Sequence, residues 1–230
     1  MTTVFIISAP SGSGKSTLVN EVRKLLPDLD FSISFTTRAP RGSERNGCEY
    51  FFVPRPRFEE MIGRNEFLEH ADVFGNFYGT ARRFLQEAQR SGRDLLLDID
   101  VQGAAQIKRN IPDAVSIFIL PPDRQTLERR LRNRSLDEKS VIERRLVTAT
   151  REIENYAKYD YILVNDRLEE SVDALKAILL AERLKRRAVE PSTEERKTIE
   201  RAEQFRLQNV QQRLQPILAS FMPAAAQGGD

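Results

Sequence analysis

Four short apolar runs recur along the chain: TVFIIS (3–8), DLLLDID (94–100), VSIFIL (115–120) and DYILVN (160–165). Each is brief and almost uniformly apolar, which reads as a strand buried on both faces. Helical patterns lie between or after them, at 15–26, 102–110, 123–133, 138–156 and 168–187. Strands alternating with helices predict an α/β fold whose parallel sheet is covered on both sides. Between 35 and 80 the rhythm changes. SISF (32–35) alternates like a strand, YFFV (50–53) and EFLEHADVF (66–74) read as short strands, and a small helix is expected near 57–62. This region reads as a mixed insertion on the rim of the sheet. No internal repeat is present.

After Arg187 the stretch AVEPST breaks the pattern, and a polar helical segment follows. Ser192, with Glu195 three residues later, has the spacing of a capping box. Leu207, Val210, Leu214, Ile217 and Phe221 form an apolar stripe that either packs on its own domain or pairs with a second subunit. Pro216 favours a short element there. The end, PAAAQGGD, has the composition of a disordered tail.

Composition narrows the class. At 230 residues the chain supports one substantial core, and 40% hydrophobic with 30% charged residues reads as soluble and globular. A net charge of +2 argues against a general nucleic-acid binder, so any anion site must come from local clustering. The single Cys48 forms no intrachain disulfide, in keeping with a reducing compartment. VFIISA is too short for a signal or membrane segment and no basic leader precedes it, so the expectation is a cytoplasmic protein without membrane partners.

The stretch APSGSGKST joins the first strand to the first helix. Ala9, Pro10, Ser11, Gly12, Ser13, Gly14, Lys15, Ser16 and Thr17 thus have the setting a phosphate-binding loop requires. Small residues let backbone N–H groups wrap a phosphate, and the helix N-terminus adds unpaired donors. Lys15 would reach the β- and γ-phosphates of a nucleotide, and Ser16 would hold Mg²⁺. Ala9 stands where the motif has its first glycine, which costs little if that residue keeps a negative φ. The bland reading is an ordinary Gly/Ser turn.

A second anion site is suggested by FTTRAPRG, in which Arg38 and Arg41 flank a proline. With Tyr50 and Tyr78 they supply four donors suited to a terminal phosphomonoester. The same region holds Ser34, Glu69 and Thr80. A carboxylate accepts two parallel N–H bonds, which guanine offers at N1 and its amino group and adenine does not. Asp98 and Asp100 end an apolar strand, where carboxylates need compensation. Asp98 is read as orienting a Mg²⁺ water or Lys15, and Asp100 as facing the acceptor. His70 reads as a structural strand residue.

SAPSGSGKST, SISFTTRAPRGSERNGCEYFFV, FLEHADVFGNFYGT, LLLDIDVQGAAQI and YDYILVND resemble guanylate kinases in order and spacing, over about residues 3–187. The resemblance implies a P-loop nucleoside monophosphate kinase fold: a parallel sheet core (1–34, 81–123, 146–189), an inserted mixed GMP-binding region (35–80) and a helical lid (124–145). Residues 190–230 lie outside it as an extension, helical and then disordered. It implies the reaction ATP + GMP ⇌ ADP + GDP with Mg²⁺. Ser34, Arg38, Arg41, Tyr50, Glu69, Tyr78, Thr80 and Asp100 fall on GMP-binding positions, and Asp98 is counted with them. Asn165 falls on the adenine-contacting position, and Arg130, Arg134 and Arg145 are the lid candidates. Lys15, Arg38, Arg134 and Arg145 are the expected catalytic set. Gly42-Ser43-Glu44 departs from the usual Pro-Gly-Glu, Phe35 stands where His or Tyr is common, and Asn133-Arg134-Ser135 departs from Gly-Arg-Gly. Two competing readings are a kinase of phosphorylated sugars, which would lack the guanine set, and a catalytically silent binding module, which would have a degraded phosphate loop.

Overall fold

The computed structural model describes residues 2–73, 75–134 and 139–222. Along the chain run β1 (Val4–Ser8), α1 (Lys15–Leu25), β2 (Leu29–Ser32), β3 (Phe35–Thr36), β4 (Phe51–Phe52), α2 (Arg55–Gly63), β5 (Phe67–Val73), β6 (Asn76–Ala81), α3 (Arg82–Ser91) and β7 (Asp94–Asp98). They are followed by α4 (Val101–Asn110), β8 (Val115–Leu120), α5 (Arg124–Arg134), α6 (Lys139–Ile153), β9 (Tyr161–Val164), α7 (Leu168–Lys185), α8 (Thr193–Glu203) and α9 (Leu207–Phe221). The chain divides into two compact units, one made of the residues up to Ile7 with Pro27–Val115, the other of Ser8–Leu26 with Ser116–Asp230.

In the first unit β7 pairs in parallel with both β1 and β2, with Ile7 opposite Asp98 and Ser32 opposite Leu97. Leu95, Leu96 and Leu97 are fully buried, as a two-sided parallel strand demands. A second, four-stranded sheet has the order β4-β3-β6-β5 and mixes parallel with antiparallel pairs. Its core is Phe35, Phe58, Met61, Phe67 and Ala81. SISF is not one strand: β2 ends at Ser32 and β3 begins at Phe35, each in a different sheet. The strand β6 and the helix α3 are not legible in the sequence. In α3 only Ala88 is fully enclosed, although its apolar and charged residues segregate strongly to opposite sides.

In the second unit β8, buried at all six positions, pairs in parallel with β9. The extension docks on this pair. The Ile162 N–H donates to Phe205 O at 2.9 Å and the Leu207 N–H to Asp160 O at 3.1 Å, so residues 205–207 cover the outer edge of β9. Val210, Leu214 and Phe221 are buried, which gives the apolar stripe a partner inside its own chain. The capping box at Ser192 and Glu195 is formed. Pro216 does not shorten α9, which runs through it to Phe221. The carbonyl that Pro216 leaves without a donor belongs to Gln212, an exposed residue, so water replaces the lost bond. Residues 223–230, expected to be a disordered tail, lie outside the described residues.

Behind this edge lies an ionic group built on the buried Glu182 and Tyr161. The Tyr161 hydroxyl donates to Glu182, which also accepts from Arg206 at 2.8 Å and Lys185 at 3.1 Å. The Arg206 guanidinium stacks over the Tyr161 ring, 4.4 Å from its centroid. Burial, with the Glu182 carboxylate beside it, pushes the Tyr161 phenol far above its ordinary pKa, so it remains a donor. Removing residues 190–230 takes Arg206 from Glu182 and uncovers the β9 edge. Loss of one charged partner of the buried Glu182 carboxylate costs about 1–3 kcal/mol, and an open strand edge invites self-association. Urea unfolding and sedimentation of the truncated chain should show both effects. A truncated chain as stable and as dispersed as the full one would mean that the docking contributes nothing.

Candidate active site

In the second unit, the phosphate loop follows Ser8. Gly12 and Gly14 hold φ of 94° and 85°, the region L-residues avoid. Space is as restrictive as backbone: a Cβ on Gly14 would lie 2.5 Å from Asn165 Nδ2, and one on Gly12 would lie 2.9 Å from both Leu127 and Leu131. Ala9 is not among the residues with positive φ, so alanine fits there without strain. Gly14 caps α1, placing Lys15, Ser16 and Thr17 in its first turn with Ser16 and Thr17 exposed.

Three of the expected donor-side residues meet this loop. Asn165 is buried, and its side-chain amide donates to Ser13 O at 2.7 Å. Arg130 reaches Ser13 O at 3.5 Å and Asn165 O at 3.0 Å. Burial holds the Arg130 guanidinium below its ordinary pKa, against the pull of Asp166. Arg145 donates to Ser11 Oγ at 2.9 Å. Arg134 ends α5, but its side chain lies outside the described residues, as does Ser135. No sequence pattern marks Asn165 and Arg130 as holding the loop backbone, because the carbonyl they share takes its position only in the folded loop.

The acceptor-side residues lie in the first unit. Arg38 donates from Nε to the Tyr78 hydroxyl at 3.1 Å and from one terminal nitrogen to both Glu44 oxygens, at 3.0 and 2.9 Å. Its guanidinium is 5.4 Å from the Tyr50 ring centroid, and the Tyr50 and Tyr78 rings meet edge to face at 5.8 Å. Burial pulls Arg38 down, but Glu44 and Tyr78 outweigh it and its pKa stands above the ordinary arginine value. Arg41 is exposed, and among the described residues its guanidinium has no partner, while its N–H donates to Glu44 at 2.8 Å. Sequence reasoning does not single out Glu44 as a member of this cluster. The signal for it is a carboxylate three residues past the second arginine of a tight loop. Gly42 holds φ of 52°, which proline cannot adopt, so the departure from Pro-Gly-Glu changes the loop backbone itself.

Glu69 is 4% exposed. Strand β5 delivers it by a bulge: Phe67 pairs with Ala81, but Glu69 pairs with Thr80. Two residues advance on β5 against one on β6, which turns Glu69 to the face opposite Phe67. Phe67 and Ala81 enter the aromatic core, while Glu69 and Thr80 face the other way. Burial above all pushes the Glu69 carboxyl up to about 7; Thr80 opposes this, and the charge of Asp100 adds to it. The Thr80 hydroxyl is fully buried and close enough to act on Glu69, yet misaligned for a full hydrogen bond. Asp100 caps α4, accepting from the Gly103 N–H at 2.8 Å. Asp98 ends β7 opposite Ile7, and Ser34 is nearly buried just before β3. His70 is exposed on β5, in keeping with a structural strand residue.

The guanylate kinase family model matches residues 1–182. The chain belongs to the guanylate kinase family. Membership makes it a nucleotide-binding kinase with an α/β, parallel-sheet fold. The guanylate kinase of Koribacter versatilis is 60% identical over 225 residues, covering 96% of this chain and 97% of that protein, so the likeness continues past residue 190. The guanylate kinase of Escherichia coli K12 is 50% identical over 185 residues, 80% of this chain and 89% of its own. The crystal structure of guanylate kinase from Anaplasma phagocytophilum superposes with a TM-score of 0.68 at 37% identity, covering 80% of this chain and 88% of that one. No helix among the described residues is long and apolar enough to cross a membrane.

The raised Glu69 carboxyl has a consequence for stability. Its pKa is about 7 in the folded chain against an ordinary value of 4.5, so the folded state binds the proton more tightly. No penalty falls below pH 4.5, and the penalty grows as pH rises through 7 to about 3 kcal/mol. In urea titrations without nucleotide, Glu69→Gln should gain on the parent chain between pH 5 and pH 8. Parallel pH profiles for the two would show that Glu69 does not titrate high.

Proposed function

We propose that this chain transfers the terminal phosphoryl group of ATP to GMP, giving ADP and GDP. The observation that carries this reading is the buried Glu69 carboxyl, set in the same small sheet as Tyr78, the partner of Arg38. As a carboxylate it would accept from guanine N1–H and the 2-amino group. A buried acceptor left unpaired is costly, so a base without those donors is rejected. Thr80 and Ser34 would donate to O6, with Asp100 beside Glu69 and Asp98 at the neighbouring strand end. Arg38, Arg41, Tyr50 and Tyr78 would hold the GMP phosphate, with the free fork of Arg41 as its first contact.

On the donor side the loop from Ala9 to Thr17 would wrap the ATP phosphates, with Lys15 on the β- and γ-groups. Asn165 and Arg130 keep the loop in shape from below, and Asn165 is also the residue proposed for the adenine side. Mg²⁺ takes few protein ligands when it arrives with a nucleotide. The residues fit that habit: the exposed Ser16 hydroxyl has no partner among the described residues, which also hold no cluster of three metal-ligating side chains. Ser16 would bind the ion directly and Asp98 through water; the ion would neutralise charge on the transferring group.

The acceptor phosphate is mostly dianionic at neutral pH, so no strong general base is needed. The difficulty is bringing two anions together, which makes positioning and charge neutralisation the main work. We assign the closing role to the arginine-rich segment 124–145, with Arg134 and Arg145 as its catalytic arginines, and read 35–80 as the GMP-binding insertion. The stripe of α9 is used inside its own chain, so the partners proposed are ATP and GMP, in the cytoplasm.

A coupled assay of ADP formation with GMP, AMP, UMP and ribose phosphates as acceptors tests the reading. GMP should be preferred by orders of magnitude, and equal use of a sugar phosphate would overturn it. Lys15→Ala should abolish transfer while calorimetry still detects GMP binding, because the acceptor residues belong to the other unit. Equal loss of GMP affinity in a folded variant would place Lys15 in the wrong role. Glu69→Gln replaces an acceptor oxygen by a donor, and should cut the preference for GMP over IMP, which lacks the 2-amino group, by about tenfold or more.

A further inference from the structure

We propose that helix α4 is the device that sets the guanine-reading carboxyl, with Gly103 and Gln106 as positioning residues; the inference rests on the role given to Glu69 above. Strand β5 is the outer strand of its sheet. Its free edge is covered by side chains rather than by another strand. Gln102 donates to Asp72 O at 3.5 Å, Gln106 to His70 O at 2.7 Å and Asn110 to Leu68 O at 3.3 Å. Gln106 also accepts from the His70 N–H at 3.3 Å, so it satisfies both backbone groups of that residue as a neighbouring strand would.

The spacing accounts for the fit. Four residues of helix rise about 6 Å, and two residues of strand span about 6.6–6.8 Å. Amide side chains four apart on α4 therefore keep pace with alternate residues of β5, running in the opposite direction. The ladder grips Leu68, His70 and Asp72, the residues on either side of Glu69 and one beyond, and so fixes the backbone from which the carboxyl projects.

Gly103 lies between the first two rungs. A Cβ there would stand 2.5 Å from Glu69 Oε2 and 3.0 Å from its Cδ. The residue has helical backbone, and glycine is disfavoured inside helices. Its backbone does not require glycine; the space does. Without a side chain at 103, the first turn of α4 closes on the carboxyl, and the Gly103 N–H anchors Asp100 at 2.8 Å beside it. Gly103 and the amide ladder thus hold Glu69 in one place and leave its remaining acceptor capacity to a base.

The test compares Gly103→Ala, Gln106→Ala and Glu69→Gln with the parent chain, by circular dichroism and by catalytic efficiency with GMP and with IMP at saturating ATP. Helix propensity alone predicts that Gly103→Ala is neutral or stabilising. The proposal predicts instead a folded variant whose preference for GMP over IMP falls about tenfold, with KM for ATP unchanged. Gln106→Ala should lower the same ratio by a smaller factor. A folded Gly103→Ala that keeps the parent ratio overturns the proposal. If that variant does not fold, Gln106→Ala decides, and an unchanged ratio there overturns it. Glu69→Gln separates the two levels: if its ratio is unchanged, the role of Glu69 itself is wrong; if its ratio collapses while the positioning variants keep theirs, only the positioning role is wrong.

Discussion

One extra residue in β5 governs the second sheet. Strict alternation would send Phe67 and Glu69 to the same face of the sheet, and a carboxyl would share the aromatic core with Phe35 and Phe58. The bulge between them separates the two faces. It lets one strand seal a hydrophobic core on one side and present a desolvated carboxyl on the other. Desolvation raises the cost of leaving that carboxyl charged, and the same cost makes two well-aligned donors on a ligand valuable. The selectivity proposed for Glu69 and its cost to stability would therefore be two consequences of one burial.

The charges in the first unit are ordered along the same logic. Cationic and phenolic donors gather where Arg38, Arg41, Tyr50 and Tyr78 lie, and carboxyls gather where Glu69 and Asp100 lie. Glu44 crosses this division by taking one terminal nitrogen of Arg38, whose other donors go to the Tyr78 hydroxyl and the Ala39 carbonyl. In the second unit, backbone geometry carries the site. Gly12 and Gly14 make room, and Asn165 and Arg130 hold the Ser13 carbonyl so that the loop keeps its curvature. Two leucines of α5 close over Gly12, so the helix that carries Arg130 is also the floor of the loop.

The buried parallel strands are legible in the sequence because continuous apolar runs of four to six residues between turn signals are what burial on both faces of a sheet imposes. The phosphate loop is legible because its glycines and lysine stand between a strand and a helix. What escapes depends on pairing rather than on pattern. Strand β6 has no alternation of its own and exists as the partner of β5. The break between Ser32 and Phe35 is invisible in an alternating tetrapeptide. The exposure of Gln212 decides that Pro216 is tolerated, and exposure is a property of the folded chain. Asn165 reads toward a nucleotide in sequence, and only the fold shows its amide also donating to a carbonyl 152 positions away along the chain.

Each unit covers one exposed sheet edge, and the two do so with different materials. On β5 the cover is a helix whose amides imitate a strand, and because those amides flank Glu69 the cover is tied to the site. On β9 the cover is the short segment 205–207, locked by Arg206 on the buried Glu182 and by the apolar stripe of α9. That cover belongs to stability, yet it is not remote from chemistry. Ser220 of α9 accepts from the N–H of Arg124 at 3.1 Å, at the start of the helix that carries Arg130, Leu127 and Leu131 to the phosphate loop. An extension that first serves to close a sheet edge thereby also holds the near end of that helix.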